Sequence, residues 1–449
     1  MAEGRHSAPR GRSNKDEEAK KAALANEQRL IALGEAVDER TGVKRKPYRP
    51  KRLGHRRRTL IISGVVVLGL LVALIGGGYL YVQWRFDQIH KITVSNISYP
   101  VPGQPFNILS VGSDSRVGLT GGVAAQTGAT SGSVSGQRSD VVKIMRVDPV
   151  AGTITVLSIP RDTMTTLLAN QALYGKFNRI NVNYGTGPSL LAQTITANFG
   201  IVVNHVIQVG FAGLINAADA IGGVYLNFPY PAKDAYSGLK ITHAGCQLVT
   251  GFQALAVARS RHYQYFQGGQ WYYDGTSDFG RIDRQNAFLR AMVSRIKGMG
   301  LSNPIAINNF LSKIPQGITI DSSFTLRELI GLSLKFRSFD PAAMKTYTLP
   351  TTATVINGAD VLIVSQPAAQ QMLVNIFGSS LLAPTNPPPN AQLQTPMPPV
   401  ITPTTSTTVK TTTTVKKTTT TKRTKKTPTT TTTNPTNVVP YFDPVPCTP

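Results

Sequence analysis

The chain has 449 residues, which is enough for one large domain or two medium ones with accessory segments. Its formal net charge is +24, but much of the positive excess lies in two low-complexity regions, an N-terminal segment and a C-terminal tail. A nucleic-acid-binding domain carries its basic residues on folded elements, and the sequence contains no zinc-finger, RNP or basic-zipper motif. We therefore expect no nucleic-acid partner.

The sequence has only two cysteines, Cys246 and Cys447, and they lie far apart. This spacing predicts neither a disulfide framework nor a cysteine metal site. Because Cys447 lies in a tail that we predict to be disordered, a stable bridge between the two is not expected, although it stays an open alternative. The six histidines are scattered and show no metal-ligand spacing.

Residues 1–58 are polar, charged and poor in aromatic residues, which predicts a largely disordered segment. Alanine, leucine, glutamate and lysine predominate in residues 16–37 and allow a short helix there. From Lys44 to Arg58 the chain is densely basic, and this cluster directly precedes an apolar run.

Residues 59–84 contain no charged residue, and Leu60–Val82 is apolar over a length that spans a bilayer. The run is too long, and too far from the N-terminus, for the core of a signal peptide. By the positive-inside rule, the basic cluster before it predicts a cytoplasmic N-terminus. We therefore expect a single-pass protein of the cell membrane, extracytoplasmic from the linker 85–103 onward.

Residues 104–378 are predicted to form one α/β domain, because strand-like runs alternate with helical patterns. The strand-like runs are FNILSV, VVKIMRV, TITVLSI and HVIQVGF, and the helical ones are PSLLAQTITANF, AGLINAADAI, DRQNAFLRAMVSRI and TLRELIGLSLKF. Thr325 and Glu328 have the spacing of a capping box at the start of the last helix.

Two further segments differ in composition from the domain. Residues 117–137 are rich in Gly, Ser, Ala and Thr, which favours a flexible surface loop. Residues 379–449 are rich in Pro, Thr and Lys, and this composition predicts a disordered tail that cannot bury a core. We interpret the tail either as a contact for anionic wall polymers or as a plain solvated spacer.

Arginine stands close to aspartate at several points in the domain, as in GSDSR, RSD and PRD. The runs VVKIMRV and TITVLSI flank the turn residues DPVAG and predict a β-hairpin. If Val147 lies opposite Ile154, Asp140 lies opposite Arg161, so RSD and PRD become neighbours. GSDSR follows FNILSV, at the strand end where α/β sheets usually bind ligands.

The later motifs RSRH and DFGRIDRQ carry further arginines. If RSRHY is extended, Arg259 and Arg261 point to one face. Arg281 and Gln285 share one face of a helix predicted to begin near Asp278, where backbone N–H groups favour anions. The apolar residues of this helix are interpreted mainly as core, with an apolar pocket as the alternative; they are Ile282, Phe288, Leu289, Met292 and Ile296.

An isolated arginine–aspartate pair is usually a surface ion pair of little energetic value. Several such pairs that converge on one place instead indicate a site that binds phosphate around a divalent cation, because arginine grips phosphate oxygens and carboxylates hold Mg²⁺. Together with the membrane anchor, this pattern predicts chemistry on a phosphorylated lipid. The sequence shows no Ser/His/Asp triad and no P-loop, so nothing requires a covalent enzyme intermediate.

The ordered motifs NILSVGSDSR, RSDVVKIMRVDP, SIPRDT, KFNRINVNYGTGPSLL, AADAIGGV, GFQALAVARSRH and DFGRIDRQ resemble the LytR-CpsA-Psr family. The resemblance implies a three-layer α/β/α domain with a mixed central sheet and a long hydrophobic pocket for a polyprenyl chain. It also implies a phosphotransferase that moves a glycopolymer from a polyprenyl-diphosphate carrier to a muramic acid hydroxyl of peptidoglycan, through a phosphodiester link. The basic N-terminus and the Thr/Lys tail resemble an actinobacterial member, for which arabinogalactan is the expected donor polymer.

The resemblance further implies roles for individual residues. Asp114 and Asp140 match the acids that hold Mg²⁺, or Mn²⁺ in its place, and Asp114 is also the candidate base. The residues that match the diphosphate-binding set are Arg161, Lys176, Arg259, Arg261, Arg281 and Gln285, with Arg116 and Arg138 from the same motifs. Asp162 and Asp283 are interpreted as structural partners.

Two alternatives to the transferase stay open. One is a polyprenyl-diphosphate pyrophosphatase, which would use the same site with water as the acceptor. The other is a non-catalytic wall-binding protein that acts through its cationic tail. The chain also departs from a minimal family member in the loop 117–137 and in a second insert, 263–277, rich in Tyr, Gly and Gln. Both inserts are expected to flank the mouth of the site and to bear on the choice of acceptor.

Overall fold

The structure is a computed structural model that describes residues 13–41, 55–115, 119, 127, 139–185, 187–299, 308, 312–313, 315, 317–378 and 440–448. The chain divides into two compact units, residues 1–76 and 77–449. Most of the loop 117–137 and of the tail 379–449 lies outside the described residues, and so do Arg116 and Arg138.

In residues 13–41 and 55–87, which the structure describes, two helices precede the domain. α1 spans Ser13–Thr41 and is longer than the helix that the composition allows. α2 spans His55–Asp87. Within the described part of the chain, α2 is the one helix long and apolar enough to cross a membrane, over Arg58–Asp87. The predicted membrane span at 59–84 lies inside it, and the last turn packs on the domain through Phe86.

The domain alternates strands and helices. Its strands are β1 (His90–Ile92), β2 (Phe106–Ser113), β3 (Ser139–Asp148), β4 (Thr153–Ile159), β5 (Met164–Thr166), β6 (Phe177–Arg179), β7 (His205–Val209), β8 (Val224–Phe228), β9 (Ala232–Asp234), β10 (Leu239–Ile241), β11 (Gly245–Val249), β12 (Gln264–Gln267), β13 (Gln270–Tyr273), β14 (Ile318–Asp321), β15 (Lys345–Thr348), β16 (Thr351–Ile356), β17 (Ala359–Val364) and β18 (Val445–Pro446). Its helices are α3 (Gln171–Tyr174), α4 (Ile180–Tyr184), α5 (Pro188–Phe199), α6 (Phe211–Ala220), α7 (Gly251–Arg259), α8 (Asp278–Met299), α9 (Leu326–Lys335) and α10 (Ala368–Phe377).

Among the described residues, a seven-stranded sheet forms the centre of the domain, in the order β1–β14–β7–β2–β3–β4–β15. β2, β3 and β4 pair antiparallel, whereas β7 pairs parallel with β2 and β15 with β4. On one face, α4, α5 and α10 pack against Leu109 and Ile144. On the other face, Ile108 and Val147 pack against Leu332 of α9, beside α6 and α8. The predicted three-layer α/β/α arrangement with a mixed central sheet is confirmed.

Local sequence signals agree with the element boundaries. The Thr325 side chain accepts a hydrogen bond of 3.2 Å from the backbone N–H of Glu328 at the start of α9, as the capping-box spacing predicts. In the β3–β4 hairpin, Val147 lies opposite Ile154, which is the predicted register. Gly152 in its turn adopts a φ of 62°, a conformation that glycine reaches without steric cost.

The C-terminal end is ordered where the sequence predicts disorder. Residues 440–448 lie on the domain, with β18 antiparallel to β8 and a disulfide bond between Cys246 and Cys447. The expectation of no stable bridge is therefore wrong, and so is a disordered tail over these residues. The physical reason is a contact between distant parts of the chain, because Phe442 stacks on Tyr265 with ring centroids 4.6 Å apart. This short apolar segment differs from the Thr/Lys sequence that precedes it.

Candidate active site

Asp114 lies just past the carboxyl end of β2, which is an inner strand of the central sheet. The β2–β3 ladder slips between Gly112 and Ser113, and such a bulge bends a strand and re-aims the side chains that follow. Glycine is required at 112, because a Cβ there would overlap the Val141 side chain. Asp114 is half-buried near Tyr184, whose pKa is raised by burial and by the Asp114 charge, against a hydrogen bond with Ser113.

Asp140 and Arg161 meet at the open end of the β3–β4 hairpin. Arg161 Nη1 donates to Asp140 Oδ1 over 2.6 Å, so the RSD and PRD motifs are neighbours, as the register predicts. Arg161 Nε also lies 3.3 Å from Asp162 Oδ2, and Asp162 Oδ1 lies 3.5 Å from Arg179 Nε. Asp162 thus has the contacts of a structural partner between two arginines.

Arg179 is a member of this cluster that the sequence analysis missed. The resemblance selects Lys176 from the same motif, but the Lys176 side chain is exposed, and none of its contacts among the described residues reaches the arginines of the cluster. Arg179 belongs to β6, which pairs antiparallel with β5 and places Arg179 opposite Met164. The sequence does contain a signal for Arg179. The Arg–Ile–Asn sequence at 179–181 places a basic residue at the boundary between strand β6 and helix α4.

The N-terminal turn of α8 joins two more arginines to the cluster. Asp278 Oδ1 lies 2.8 Å from Arg261 Nη2 and 2.9 Å from Arg281 Nη2. Arg281 Nη2 also donates to the backbone carbonyl of Asp140 over 2.7 Å. The helix begins at Asp278, as predicted. Arg161, Arg261 and Arg281 therefore surround Asp140, and we call these three arginines and Arg259 the arginine clamp.

The electrostatics of the clamp favour an anionic ligand. Burial would raise the pKa of Asp140, but the charges of Arg281, Arg161 and Arg261 outweigh burial and hold that pKa below its usual value. Burial lowers the pKa of Arg281 to about 10, against the charge of Asp278. Arg281 stays protonated at neutral pH, and among the described residues its Nε has no hydrogen-bond partner. A buried guanidinium donor of this kind is available to a phosphate oxygen.

The RSRH segment differs from its predicted form. Arg259 is the last residue of α7, and the backbone is extended at Ser260. The premise of an extended RSRHY is therefore wrong at Arg259, because the helical pattern of α7 continues to that residue. The Arg259 guanidinium lies 4.7 Å from the Phe211 ring centroid, whereas Arg261 lies beside Asp278.

A cavity of about 300 Å³ opens beside the clamp. Its polar end contains Asp140, Arg259, Arg281 and Gln285, and its walls come from the central sheet and from α6, α7 and α8. The wall residues include Val141, Met145, Ile207, Val209, Phe211, Leu214, Leu255, Phe288, Leu289 and Met292. Both interpretations of the apolar stripe on α8 therefore hold in part, since Ile282 is buried and Ile296 packs against the same core cluster to which the wall residue Phe288 belongs.

A second cavity of about 660 Å³ lies elsewhere on the domain, where its lining includes Arg146 and Phe377. It contains none of the predicted site residues, so we do not assign the chemistry to it.

Lys143, in the wall of the apolar cavity beside the clamp, was also missed by the sequence analysis, whereas Gln285 was predicted. Lys143 Nζ donates to Ser158 Oγ over 2.7 Å and to Asn286 Oδ1 over 2.6 Å. Burial and the charge of Arg281 lower the pKa of Lys143 to about 7. Gln285 Nε2 donates to the Ala258 carbonyl over 2.9 Å, which fixes its side chain at the cavity wall.

Arg284 contacts the backbone of the segment that carries two of the clamp arginines. Its Nη2 donates to the carbonyl of Ser260 over 3.0 Å, between Arg259 and Arg261. Its Nη1 lies 2.9 Å from Asp274 Oδ2, and both side chains are buried. Glycine at 280 leaves room for this pair, since a Cβ there would overlap Asp274 and Arg284. The glycine of DFGR is thus explained by packing.

The site's residues are compatible with a shared divalent cation. No group of three or more His, Cys, Asp or Glu side chains is suited to hold a metal in the part of the chain that the structure describes. Asp114 and Asp140 supply two carboxylates, and Asp140 is held ionised. Mg²⁺ often binds one or two protein carboxylates and takes its other ligands from substrate phosphates and water. The donor set therefore fits a metal bound together with a diphosphate, and the magnesium site stays a prediction.

With this geometry established, comparison with known proteins identifies the family. The profile of the LytR_cpsA_psr family matches residues 85–377. The chain belongs to this family, as its motifs indicate.

The sequence identity between this chain and individual relatives is low. The "Probable cell wall biosynthesis protein LcpB" of Corynebacterium glutamicum is 29% identical over 278 residues, which cover 62% of this chain and 61% of the relative. The chain thus spans less than two thirds of that protein. The "Polyisoprenyl-teichoic acid–peptidoglycan teichoic acid transferase TagU" of Halalkalibacterium halodurans is 29% identical over 251 residues, 53% of this chain and 72% of the relative. The solved "LytR-Csp2A-Psr enzyme from Actinomyces oris" has a TM-score of 0.51 at 22% identity, over 65% of this chain and 96% of that one, and shows the shared fold.

Proposed function

We propose that this protein is a phosphotransferase that attaches a glycopolymer to peptidoglycan. The observation that carries the proposal is the junction between the arginine clamp and the apolar cavity. Arg259 and Arg281 lie at the polar end of a cavity whose walls include Phe288 and Met292. A polyprenyl diphosphate has the same two parts, a charged diphosphate and a long apolar chain. Family membership and the names of LcpB and TagU support the same function.

The proposed reaction is attack of an acceptor hydroxyl on the phosphorus that carries the glycan. A new O–P bond forms, and the P–O bond to the lipid phosphate breaks. Polyprenyl monophosphate leaves with the bonding electron pair, and the glycan remains on peptidoglycan through a phosphodiester. The arginine clamp stabilises the charge that develops on the phosphate oxygens, because its guanidinium groups are planar, cationic and already oriented. Asp114 is the candidate that accepts the hydroxyl proton.

We propose that Asp114 and Asp140 hold Mg²⁺, or Mn²⁺, together with oxygens of the diphosphate. When bound, the metal supplies Lewis-acid neutralisation of phosphate charge. Calorimetric titration of Mg²⁺ into the full chain, with a short polyprenyl diphosphate present, tests this assignment. Binding that is lost in Asp140→Asn supports it, and equal binding by both proteins contradicts it.

The proposed location is the cell membrane, with the N-terminus in the cytoplasm and the domain outside. The basic residues 44–58 before α2 support this orientation. The disulfide between Cys246 and Cys447 supports it independently, because such bonds persist in oxidising compartments. Arabinogalactan, or a similar polymer, is the proposed donor glycan. Mass spectrometry of lipid that co-purifies with the full chain would identify the carrier and its sugar.

The transferase is tested by supplying a polyprenyl-diphosphate-linked glycan with and without peptidoglycan fragments. Transfer predicts a phosphodiester-linked product and release of polyprenyl monophosphate that depends on the acceptor. Release at the same rate without acceptor would instead identify a pyrophosphatase. Binding to wall material without any turnover of the donor would identify a non-catalytic wall-binding protein.

A further inference from the structure

The second insert builds an exposed sheet face beside the clamp. Strands β12 and β13 extend a four-stranded antiparallel sheet in the order β10–β9–β12–β13. Phe266 pairs with Trp271, and Gln264 pairs with both Tyr273 and Lys233. Because side chains alternate across a strand, these five lie on one face of the sheet.

The two faces of this sheet have opposite character. The inner face is mostly core, with Ala232, Leu239 and Tyr265 buried, whereas Tyr272 on the edge strand is exposed there, at 39%. On the outer face, Phe266, Trp271 and Tyr273 are 36%, 41% and 53% exposed. Large aromatic side chains exposed side by side usually mark a binding surface. We call the outer face, with the adjoining Tyr236 and His262, the aromatic face.

Hydrogen bonds and ring contacts hold the aromatic face in place. The Lys233 ammonium lies 3.8 Å from the Trp271 ring centroid, and His262 Nδ1 lies 2.9 Å from the Tyr273 hydroxyl. The His262 and Tyr236 rings are 4.4 Å apart, and Tyr236 is 78% exposed. The rings are therefore prearranged, which lowers the entropy lost when a ligand binds.

The aromatic face is attached to the segment that carries the clamp. Buried Asp234 accepts hydrogen bonds from the His262 N–H over 2.9 Å and from Ser260 Oγ over 2.7 Å. The same carboxylate accepts one from the Tyr236 N–H over 2.9 Å. Arg261 lies between Ser260 and His262 in sequence. An acceptor bound on the aromatic face would therefore lie next to the arginines that hold the diphosphate.

The charge of this region is positive. The acids of residues 230–274 are Asp234 and Asp274, and both are buried. Lys240 pairs with Lys233 on the outer face, so that face presents cations beside aromatic rings. A sugar ring stacks its C–H face on an aromatic ring, whose face is electron-rich, and carboxylates of a wall polymer pair with lysine.

We propose that the aromatic face binds the glycan strand of the peptidoglycan acceptor, an assignment that rests on the proposed function. A membrane surface is the competing occupant, because tryptophan, tyrosine and lysine also suit lipid headgroups. The hairpin tip argues against it. The tip consists of Gln267, Gly268, Gly269 and Gln270 and has no apolar side chain to insert. The exposed aromatic rings instead lie on the outer face of the sheet.

The test compares the full chain with Trp271→Ala and Tyr273→Ala, and with Tyr99→Ala as a control, since Tyr99 is an exposed aromatic residue that lies outside this sheet. The measurement is the dissociation constant for soluble peptidoglycan glycan fragments. An increase of about tenfold for each face variant, with none for Tyr99→Ala, supports the proposal. In the transfer assay, the acceptor KM should rise by a similar factor while kcat and donor binding stay unchanged. Unchanged affinity in both face variants overturns the proposal.

Two further results separate this proposal from the proposed function. Arg281→Ala should lose transfer but keep its affinity for glycan fragments, because the clamp binds the donor. If the wild-type chain transfers nothing yet the face variants lose glycan affinity, the function fails and the glycan surface stands. If the face variants lose binding to anionic lipid vesicles and keep glycan affinity, the face is a membrane contact and the proposal fails.

Discussion

Arg284 donates to Asp443 over 2.6 Å, across 159 residues of sequence. Both side chains are buried, and the same Arg284 nitrogen lies 2.9 Å from Asp274. One guanidinium thus faces two buried carboxylates. It also donates to the Ser260 carbonyl, in the segment that carries the clamp. The C-terminal end of the chain is therefore connected to the candidate active site through one side chain.

This arrangement predicts a pH dependence of stability. Burial raises the pKa of Asp443 to about 7, although Arg284 opposes the shift, because one cation cannot offset two buried carboxylates. A carboxyl group whose pKa rises on folding stabilises the folded state fully below its unfolded pKa, near 3.8. That contribution is lost as the pH rises through about 7.

The prediction is tested with Asp443→Asn, which keeps an oxygen acceptor and cannot ionise. Between pH 4 and pH 7 the wild type should lose stability relative to this variant, by at most about 1.4 kcal/mol per pH unit. Thermal unfolding of both proteins across that range measures the difference. The contributions of the other titrating groups cancel in the stability difference, since both proteins contain those groups. A difference that does not change with pH would contradict the assignment.

The disulfide should stabilise the folded domain. Cys246 and Cys447 are 201 residues apart, so the bond closes a very long loop and restricts the unfolded chain. Replacing both with serine should lower the free energy of unfolding by roughly 2–4 kcal/mol. Denaturant unfolding measures this loss, and reduction of the wild type with dithiothreitol should reproduce it. Equal stability of the oxidised wild type and the serine variant would show that the bond contributes nothing.

Two glycines of α8 offer a matched comparison. A Cβ at Gly280 would overlap Asp274 and Arg284, whereas a Cβ at Gly298 would meet nothing within 4 Å. Gly280→Ala should therefore cost about 1–3 kcal/mol and weaken transfer, because Arg281 is the next residue. Gly298→Ala should leave transfer unchanged and raise stability by up to about 1 kcal/mol. Similar unfolding midpoints for the two variants would contradict this packing.

Local and periodic features of the site were predictable from sequence. The turn DPVAG sets the β3–β4 register, and that register alone places Asp140 against Arg161. The start of α8 follows from the apolar period after Asp278. These features depend on residues close together in the chain, where backbone geometry leaves few alternatives.

Long-range features were not predictable in the same way. The docking of Phe442 and Asp443 depends on partners that no local pattern reveals, and a low-complexity stretch separates this end from the domain. The position of Arg179 beside Asp162 depends on the pairing of two three-residue strands, β5 and β6. In such short strands side-chain alternation is too brief to fix a register.

The central claim is that the arginine clamp holds the diphosphate of a lipid carrier during transfer. Its most direct test is the rate of glycan transfer to peptidoglycan fragments by Arg161→Ala and Arg259→Ala, with Arg146→Ala as the control. Arg146 lines the separate second cavity, so its variant should keep wild-type activity. Each clamp variant should lose about 10²–10³-fold in rate while unfolding at the wild-type temperature, because one oriented donor to the transition state is gone. Full activity in both clamp variants would contradict the account.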